Sequence, residues 1–499
     1  MKRILIANRG EIAVRIIKTA KLMNIETVVI KTAAEPNAMY LAMADVVFDD
    51  TDDLSDIPAF LDIEKLIEIA LKTEADSVHP GYGFLAENAY FAQKCVDNKL
   101  TFIGPSPDAI YKMGNKTIAR KLALKNDIPM AMGSKGNVTS EEQALMVANQ
   151  IGYPIIIKAA SGGGGRGMRI AWHDEELPKM FNLASNEAAK AFNDPNVFIE
   201  KYIANPKHIE FQILADQHGN VIHLGERECS IQRKHQKLLE EAPSSALSEE
   251  LRKEMGEVAV RIASAVGYYS AGTVEFLLDS AGKFYFMEMN TRIQVEHPVT
   301  EEITGIDLIE QQIRVASGEK LQLKQEDIQL NGWAIECRIN AEDVQAGFAP
   351  APGAIDKLIF PTGENIRVDS GIEQGSTIAS NFDSMVAKLI VTGTDRQDAL
   401  INCKKALGKV WIKGIKTTLP FFRMLVREPQ FISGQFTTAF VEKEMEKFYF
   451  SKEEDEQIAA WLATKLFVDE QIADQDRNVD FEQGKRINPW ILNKRLKQF

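Results

Sequence analysis

Glu288 and Asn290 stand two residues apart in the stretch 284–300, FYFMEMNTRIQVEHPVT. The aromatic run at its start reads as a buried strand, so both side chains point to one face. Glu275, in GTVEFL on the preceding strand, can lie opposite them across a hairpin. Two carboxylates and an amide oxygen are hard ligands, suited to Mg²⁺ or Mn²⁺ and not to zinc. Arg292, Gln294 and Glu296 follow at further spacings of two. A cation, an amide and a candidate base therefore arrive together beside the metal ligands. Alternating charge on a strand usually marks a solvated face, but that does not explain His297-Pro298 and the apolar residues around it.

A second stretch carries phosphate chemistry. Residues 151–159, IGYPIIIKA, predict a strand with Lys158 near its end, then SGGGGRGM, then a strand over 169–172. A P-loop needs a following helix and GK[ST], so this is not one. Four consecutive glycines are costly to order. A flexible linker is the plain alternative, but between two apolar strands they predict a mobile lid that closes its backbone N–H groups over phosphates that Lys158 also meets.

Composition narrows the partners. The chain has 499 residues, a net charge of -13 and four scattered cysteines without CxxC or zinc spacing. No basic run suits a nucleic acid, and no apolar stretch of about 18 residues suits a membrane. The opening MKRILIANRG lacks a signal-peptide pattern, so the expected location is cytoplasmic, with reduced thiols.

The string EMNTRIQVEHPVTE is similar, nearly letter for letter, to the signature of biotin carboxylases, members of the ATP-grasp superfamily. IANRGEIAVRI, HPGYGFLAEN, MGNK, IIKAASGGGGRGM, RKHQK and IECRINAED extend the resemblance from Ile4 to about Phe448. It implies ATP-dependent carboxylation of biotin by bicarbonate through carboxyphosphate. It further implies ATP contacts at Lys116, Lys158, Gly164, Gly165, Glu200, Lys201, Ile203, His208, Gln232, His235, Glu275 and Glu288. The metal falls to Glu275, Glu288 and Asn290, and bicarbonate to Arg292, Gln294 and the Val295 backbone, with Glu296 as base. Lys237 belongs to the bicarbonate and carboxybiotin site, Arg338 faces the biotin ureido oxygen, and Tyr82 is a weaker biotin contact. Ala86 departs from the serine common in relatives. No Ala-Met-Lys-Met motif or transferase region occurs, so the implied partners are a separate biotin carrier protein, a carboxyltransferase and a second copy of the chain. The implied acceptor is acetyl-CoA or propionyl-CoA, with pyruvate or 2-oxoglutarate as alternatives. Other ATP-grasp ligases share the lid and metal pair but not RIQVEHP or RKHQK. A non-enzymatic nucleotide-binding regulator would not need Glu296, Lys237 and Arg338 together.

The elements that must position these groups follow from periodicity. Strand, turn, helix and strand over 3–7, 8–11, 12–22 and 26–31 predict a doubly wound parallel sheet without the dinucleotide fingerprint. HPGYGFLAEN follows a strand at 76–78. It is either a ligand loop at a strand's carboxyl end or a tight turn packing Tyr82 and Phe84. GNK opens a helix over 117–125. Residues 197–202, VFIEKY, read either as a nucleotide hinge or as an ordinary edge strand. ERECSIQRKHQKLLEE is dense in charge, which usually marks a solvated helix face. Helices are predicted over 249–266, 305–317 and 395–407, and a strand over 333–340. The fold class is thus α/β and α+β. Its expected parts are an N-terminal domain 1–113, an ATP-grasp domain 114–330 with a lid at about 131–203, a mixed C-terminal lobe 331–448 and an extension 449–499. Residues 381–385, NFDSM, are expected to shape the pocket. In the extension, 458–467 is apolar on one face and Trp490 with Ile491 forms a second anchor.

Overall fold

The computed structural model describes residues 1–52, 58–159, 168–192, 194–380, 382–445, 448 and 460–468. Gly164, Gly165, Asn381, Trp490 and Ile491, and with them the expected lid glycines, lie outside the described residues. Two compact units result, Met1–Phe448 and Tyr449–Phe499. Of the second, residues 460–468 are helical, with Trp461, Leu462, Leu466 and Phe467 exposed.

The first unit opens with five parallel strands: β1 (Arg3–Ile6), β2 (Glu26–Thr32), β3 (Val46–Asp50), β4 (Ser77–His79) and β5 (Thr101–Phe102). Their order β3-β2-β1-β4-β5 reverses between β1 and β4, which is where doubly wound sheets open a crevice. HPGYG fills that point. Asn8 donates its Nδ2 to the carbonyls of Pro80 at 2.8 Å and Tyr82 at 2.7 Å. Gly81 sits at φ +61, and a Cβ there would come within 2.8 Å of the Asn8 amide, so glycine is required.

A small antiparallel sheet follows, built from β6 (Ile155–Ala159), β7 (Arg169–Ala171) and β8 (Val197–Lys201) in the order β7-β6-β8. The flanking strands of the glycine loop are therefore paired as expected. The helix opened by GNK is Lys116–Lys125, capped by the Asn115 side chain on the Ile118 N–H.

The largest sheet is antiparallel and has eight strands. Six are β13 (Phe284–Asn290), β12 (Ser270–Leu278), β9 (Lys207–Ala215), β10 (Val221–Arg233), β11 (Gln236–Ala242) and β14 (Trp333–Asn340), in that order. Strands Met385–Gly393 and Ile366–Ser370 complete it. Pairing of β11 with β14 makes the sheet continuous from the central region into the C-terminal lobe. Alternation gives it two faces. Ile209, Phe211, Ile213, Val274 and Phe276 form the core against the helix Glu249–Val266, with Phe276 edge-on to Phe284 at 5.6 Å. His208, Glu210, Gln212, Thr273 and Glu275 line the other face. The charge-dense ERECSIQRKHQKLLEE is not a solvated helix face: it forms β10, β11 and the turn between them. Lys234 and His235 both take positive φ, as a two-residue hairpin demands.

Candidate active site

Register builds a row of ionisable groups across four strands. Glu288 faces Glu275, Glu275 faces Glu210, and Glu210 faces Arg227. Arg227 is fully buried and donates to Glu210 at 2.6 Å and Gln212 at 2.7 Å. A buried charge without such partners would be strongly destabilising.

Lys237 reaches this row through a bulge. Ile231 pairs with Leu239 but Gln232 with Lys237, so β11 carries Leu238 as an extra residue. Bulges of this kind re-aim side chains. The Lys237 ammonium contacts Glu210 at 2.6 Å, Glu275 at 3.0 Å and Glu296 at 2.6 Å. Burial works against its charge, but the three carboxylates outweigh burial and hold its pKa well above the ordinary value. The cluster His208, Glu210 and Glu275 has metal-like spacing. Lys237 already supplies its cation.

Glu296 does not lie on a strand. It stands at the N-cap position of the helix His297–Thr304 without bonding the first-turn N–H groups, and the loop before it carries Arg292 and Gln294. Its other oxygen meets Arg338 at 2.8 Å. Burial raises the Glu296 pKa, but Lys237, Arg338 and Arg227 overcome burial and hold it well below the carboxylate range. Arg338 also touches Glu240, so its partners are Glu240 and Glu296, not an exposed salt bridge. Arg292 is braced by Glu87 at 3.0 Å and bonds Gln294 at 2.7 Å and the Asn290 oxygen at 3.2 Å. The Val295 carbonyl is held by the buried Lys388 at 2.9 Å.

Glu275, Glu288 and Asn290 form a corner that could hold a divalent cation. Glu275 accepts from Asn290 at 2.9 Å, Gln294 at 3.1 Å and His208 at 3.0 Å. Burial and the charge of Glu275 raise the Glu288 pKa, and no ion pair among the described residues reaches it. A carboxylate in that state gains from a cation between it and Glu275, and its oxygens with the Asn290 oxygen are hard donors.

On β8, Glu200 holds Lys158 at 2.7 Å and Arg120 at 2.6 Å. Lys116 is near enough to Glu288, Lys158 and Glu200 to feel their charges, and burial lowers its pKa. Two lysines converging here fit an anionic ligand. His235, at the exposed hairpin tip, lies within electrostatic reach of Lys158 and His208. Gln232 is buried at the base of that hairpin, and Ile203 is half-buried just beyond β8. The Lys201 side chain turns away from Glu200 to the carbonyls of Gly152 and Tyr153. Tyr82 donates its hydroxyl to Glu11 and lies within electrostatic reach of Arg338.

Glu210, Glu240, Glu87, Arg120 and Lys388 were not singled out from the sequence. Glu210 shares the alternation of β9 with His208, so a signal existed. The other four meet the site only through tertiary contacts.

Residues 1–110 match the family described as biotin carboxylase, N-terminal domain, and residues 336–443 the biotin carboxylase C-terminal domain. Residues 115–324 match the carbamoyl-phosphate synthase L chain, ATP binding domain. The chain is 51% identical over 443 residues to biotin carboxylase 1 of Bacillus subtilis, covering 89% of this chain and 98% of that one. It is 46% identical over 456 residues to the 2-oxoglutarate carboxylase small subunit of Hydrogenobacter thermophilus, covering 91% and 96%. The biotin carboxylase domain dimer of that H. thermophilus enzyme, solved with MgADP, ADP and bicarbonate, superposes with a TM-score of 0.87 at 46% identity over 90% of this chain and 99% of that one. Biotin carboxylase of Campylobacter jejuni superposes with a TM-score of 0.86 at 45% identity, over 89% and 98%.

Proposed function

The chain belongs to the biotin carboxylase family, and from that premise we propose that it uses ATP and bicarbonate to carboxylate biotin presented by a separate carrier protein. In our reading the second half-reaction runs on a separate carboxyltransferase, with acetyl-CoA or propionyl-CoA as acceptor. Pyruvate and 2-oxoglutarate are the alternatives, because subunits named for those carboxylases are 48% and 46% identical to this chain. The working form is a homodimer, by likeness to the H. thermophilus dimer.

The observation that carries the reading is the convergence of Lys237 at 2.6 Å and Arg338 at 2.8 Å on Glu296, beside the Glu275–Glu288 pair. ATP lies between β6–β8 and the central sheet. Ile203 and the backbone of Lys201 hold adenine, Glu200 the ribose, and Lys116, Lys158, His208, Gln232 and His235 the rest of the nucleotide. Glu275, Glu288 and Asn290 would hold magnesium, which when bound neutralises phosphate charge. Arg292, Gln294 and the Val295 N–H orient bicarbonate. Glu296, kept ionised by its two cations, takes the bicarbonate proton as an oxygen of bicarbonate attacks the γ-phosphorus and the bond to ADP breaks. The carboxyphosphate formed splits its C–O bond to give CO₂ and phosphate. Phosphate accepts the ureido N–H proton of biotin, and the nitrogen bonds to CO₂. Arg338 supplies fixed positive charge where the enolate oxygen develops, with Lys237 beside the carboxyl group and Tyr82 at the pocket edge.

Isotope-labelled bicarbonate, ATP and free biotin, incubated with the purified chain, test the reading. Label in carboxybiotin is expected; ATP cleavage that never labels biotin overturns it. The transferase that co-purifies with the native chain identifies the acceptor.

A further inference from the structure

Two carboxyl groups outside this machinery lie face to face beneath it. Glu240 on β11 and Glu336 on β14 are direct cross-strand partners, which places their Cβ atoms about 5 Å apart. Both are fully buried. None of their four oxygens completes a hydrogen bond among the described residues, although Glu240 touches the Arg338 guanidinium as an ion pair.

The charges around the pair are already committed. Arg338, Lys388, Glu296 and Lys237 face it. Arg338 serves Glu240 and Glu296 together. Lys388 is shared between Glu11 at 3.2 Å and the Val295 carbonyl at 2.9 Å. Lys237 is divided among Glu210, Glu275 and Glu296. The thiols of Cys229 and Cys337 also border this region, and the imidazole of His297 lies within electrostatic reach of Lys388. Burial raises the thiols and lowers the imidazole, so all three are neutral. No cation among the described residues contacts Glu336. Two adjacent carboxylates in low dielectric do not both ionise under these conditions. Burial, only partly offset by Arg338, pushes Glu240 up to about 7. Burial, only partly offset by Lys388, raises Glu336 well above its ordinary value.

We propose that Glu240 and Glu336 hold one proton between them at neutral pH and act as a positioning pair: ionised Glu240 steadies Arg338 beside Glu296, and protonated Glu336 keeps a second negative charge out of the buried floor. The proposal rests on the assignment of Arg338 and Glu296 given above. When the shared proton leaves at alkaline pH, two like charges pull on Arg338 and draw it from Glu296. An unfolded glutamate is ionised above about pH 4.3, whereas the folded pair keeps its proton longer. Stability contributed by the pair is therefore full below the unfolded value and is lost as pH rises through the folded one.

The test uses the full chain, with Glu336→Gln mimicking the protonated acid and Glu240→Gln as a second variant. Thermal melting from pH 5 to 9 without substrate reads the proton directly. The wild type should lose stability with rising pH more steeply than either variant, by about one bound proton. In the biotin-dependent assay, Glu336→Gln should keep its pH 7 turnover while its alkaline limb moves up by about one pH unit or more. Glu240→Gln should lower kcat for biotin carboxylation about tenfold with the KM for ATP unchanged. Melting slopes and pH–rate profiles of both variants superimposable on the wild type would overturn the proposal. The melting arm needs no turnover, so it still decides the matter if the carboxylase reading fails.

Discussion

Glu296 meets Lys237 and Arg338, which hold its pKa well below the carboxylate range and keep it ionised, the state that the proposed base role needs. Glu296→Ala is expected to lower bicarbonate-dependent ATP cleavage by about 10²–10⁴ while nucleotide affinity, proposed to rest on Lys116, Lys158 and Glu200, stays near wild type. Near-normal turnover in steady-state assays would remove Glu296 from the base role. Arg338→Ala should separate the half-reactions, cutting biotin carboxylation far more than ATP binding; an equal loss of ATP affinity in titration would contradict that placement. Lys388 is buried between Glu11 and the Val295 carbonyl. Lys388→Met leaves Glu11 without its cation, and urea unfolding should show a loss of about 3–5 kcal/mol.

Elements decide how these residues meet, and here the sequence was legible to different depths. Alternation from Glu288 to Asn290 foretold that this face meets Glu275, although a register shift between Glu275 and Phe276 interrupts the pairing earlier in β13. The same period failed after Asn290, since Glu296 arrives at a helix start and not on a strand. Charge density suggested a solvated face for 226–241, but two strands buried on a sheet need partners that lie far away in the chain. Lys237 reaches Glu296 only through the Leu238 bulge, which no local pattern announces. Gly133 gives another test at this scale. A Cβ there would lie 2.6 Å from the Ile199 carbonyl on β8, the strand that carries Glu200. Overpacking against backbone typically costs about 1–3 kcal/mol. Gly133→Ala should therefore lower the melting temperature and weaken ATP binding together, read by calorimetry and nucleotide titration.

At the scale of the molecule, the residues assigned to chemistry all precede the boundary between Met1–Phe448 and Tyr449–Phe499. Deleting residues 451–499 should leave carboxylation of free biotin within a few-fold of the intact chain. The exposed Trp461, Leu462, Leu466 and Phe467 form an apolar helical surface of the kind that docks on a partner. Loss of carrier or transferase capture in pull-downs is the expected consequence. A large fall in melting temperature with capture unchanged would instead assign that helix to the chain's own stability. The proposed activity turns on coupling between nucleotide and biotin. Its most direct test is ADP release by the purified chain with magnesium, measured with and without bicarbonate and free biotin. ADP release that requires bicarbonate and rises with biotin is the predicted result, and turnover indifferent to both would contradict it.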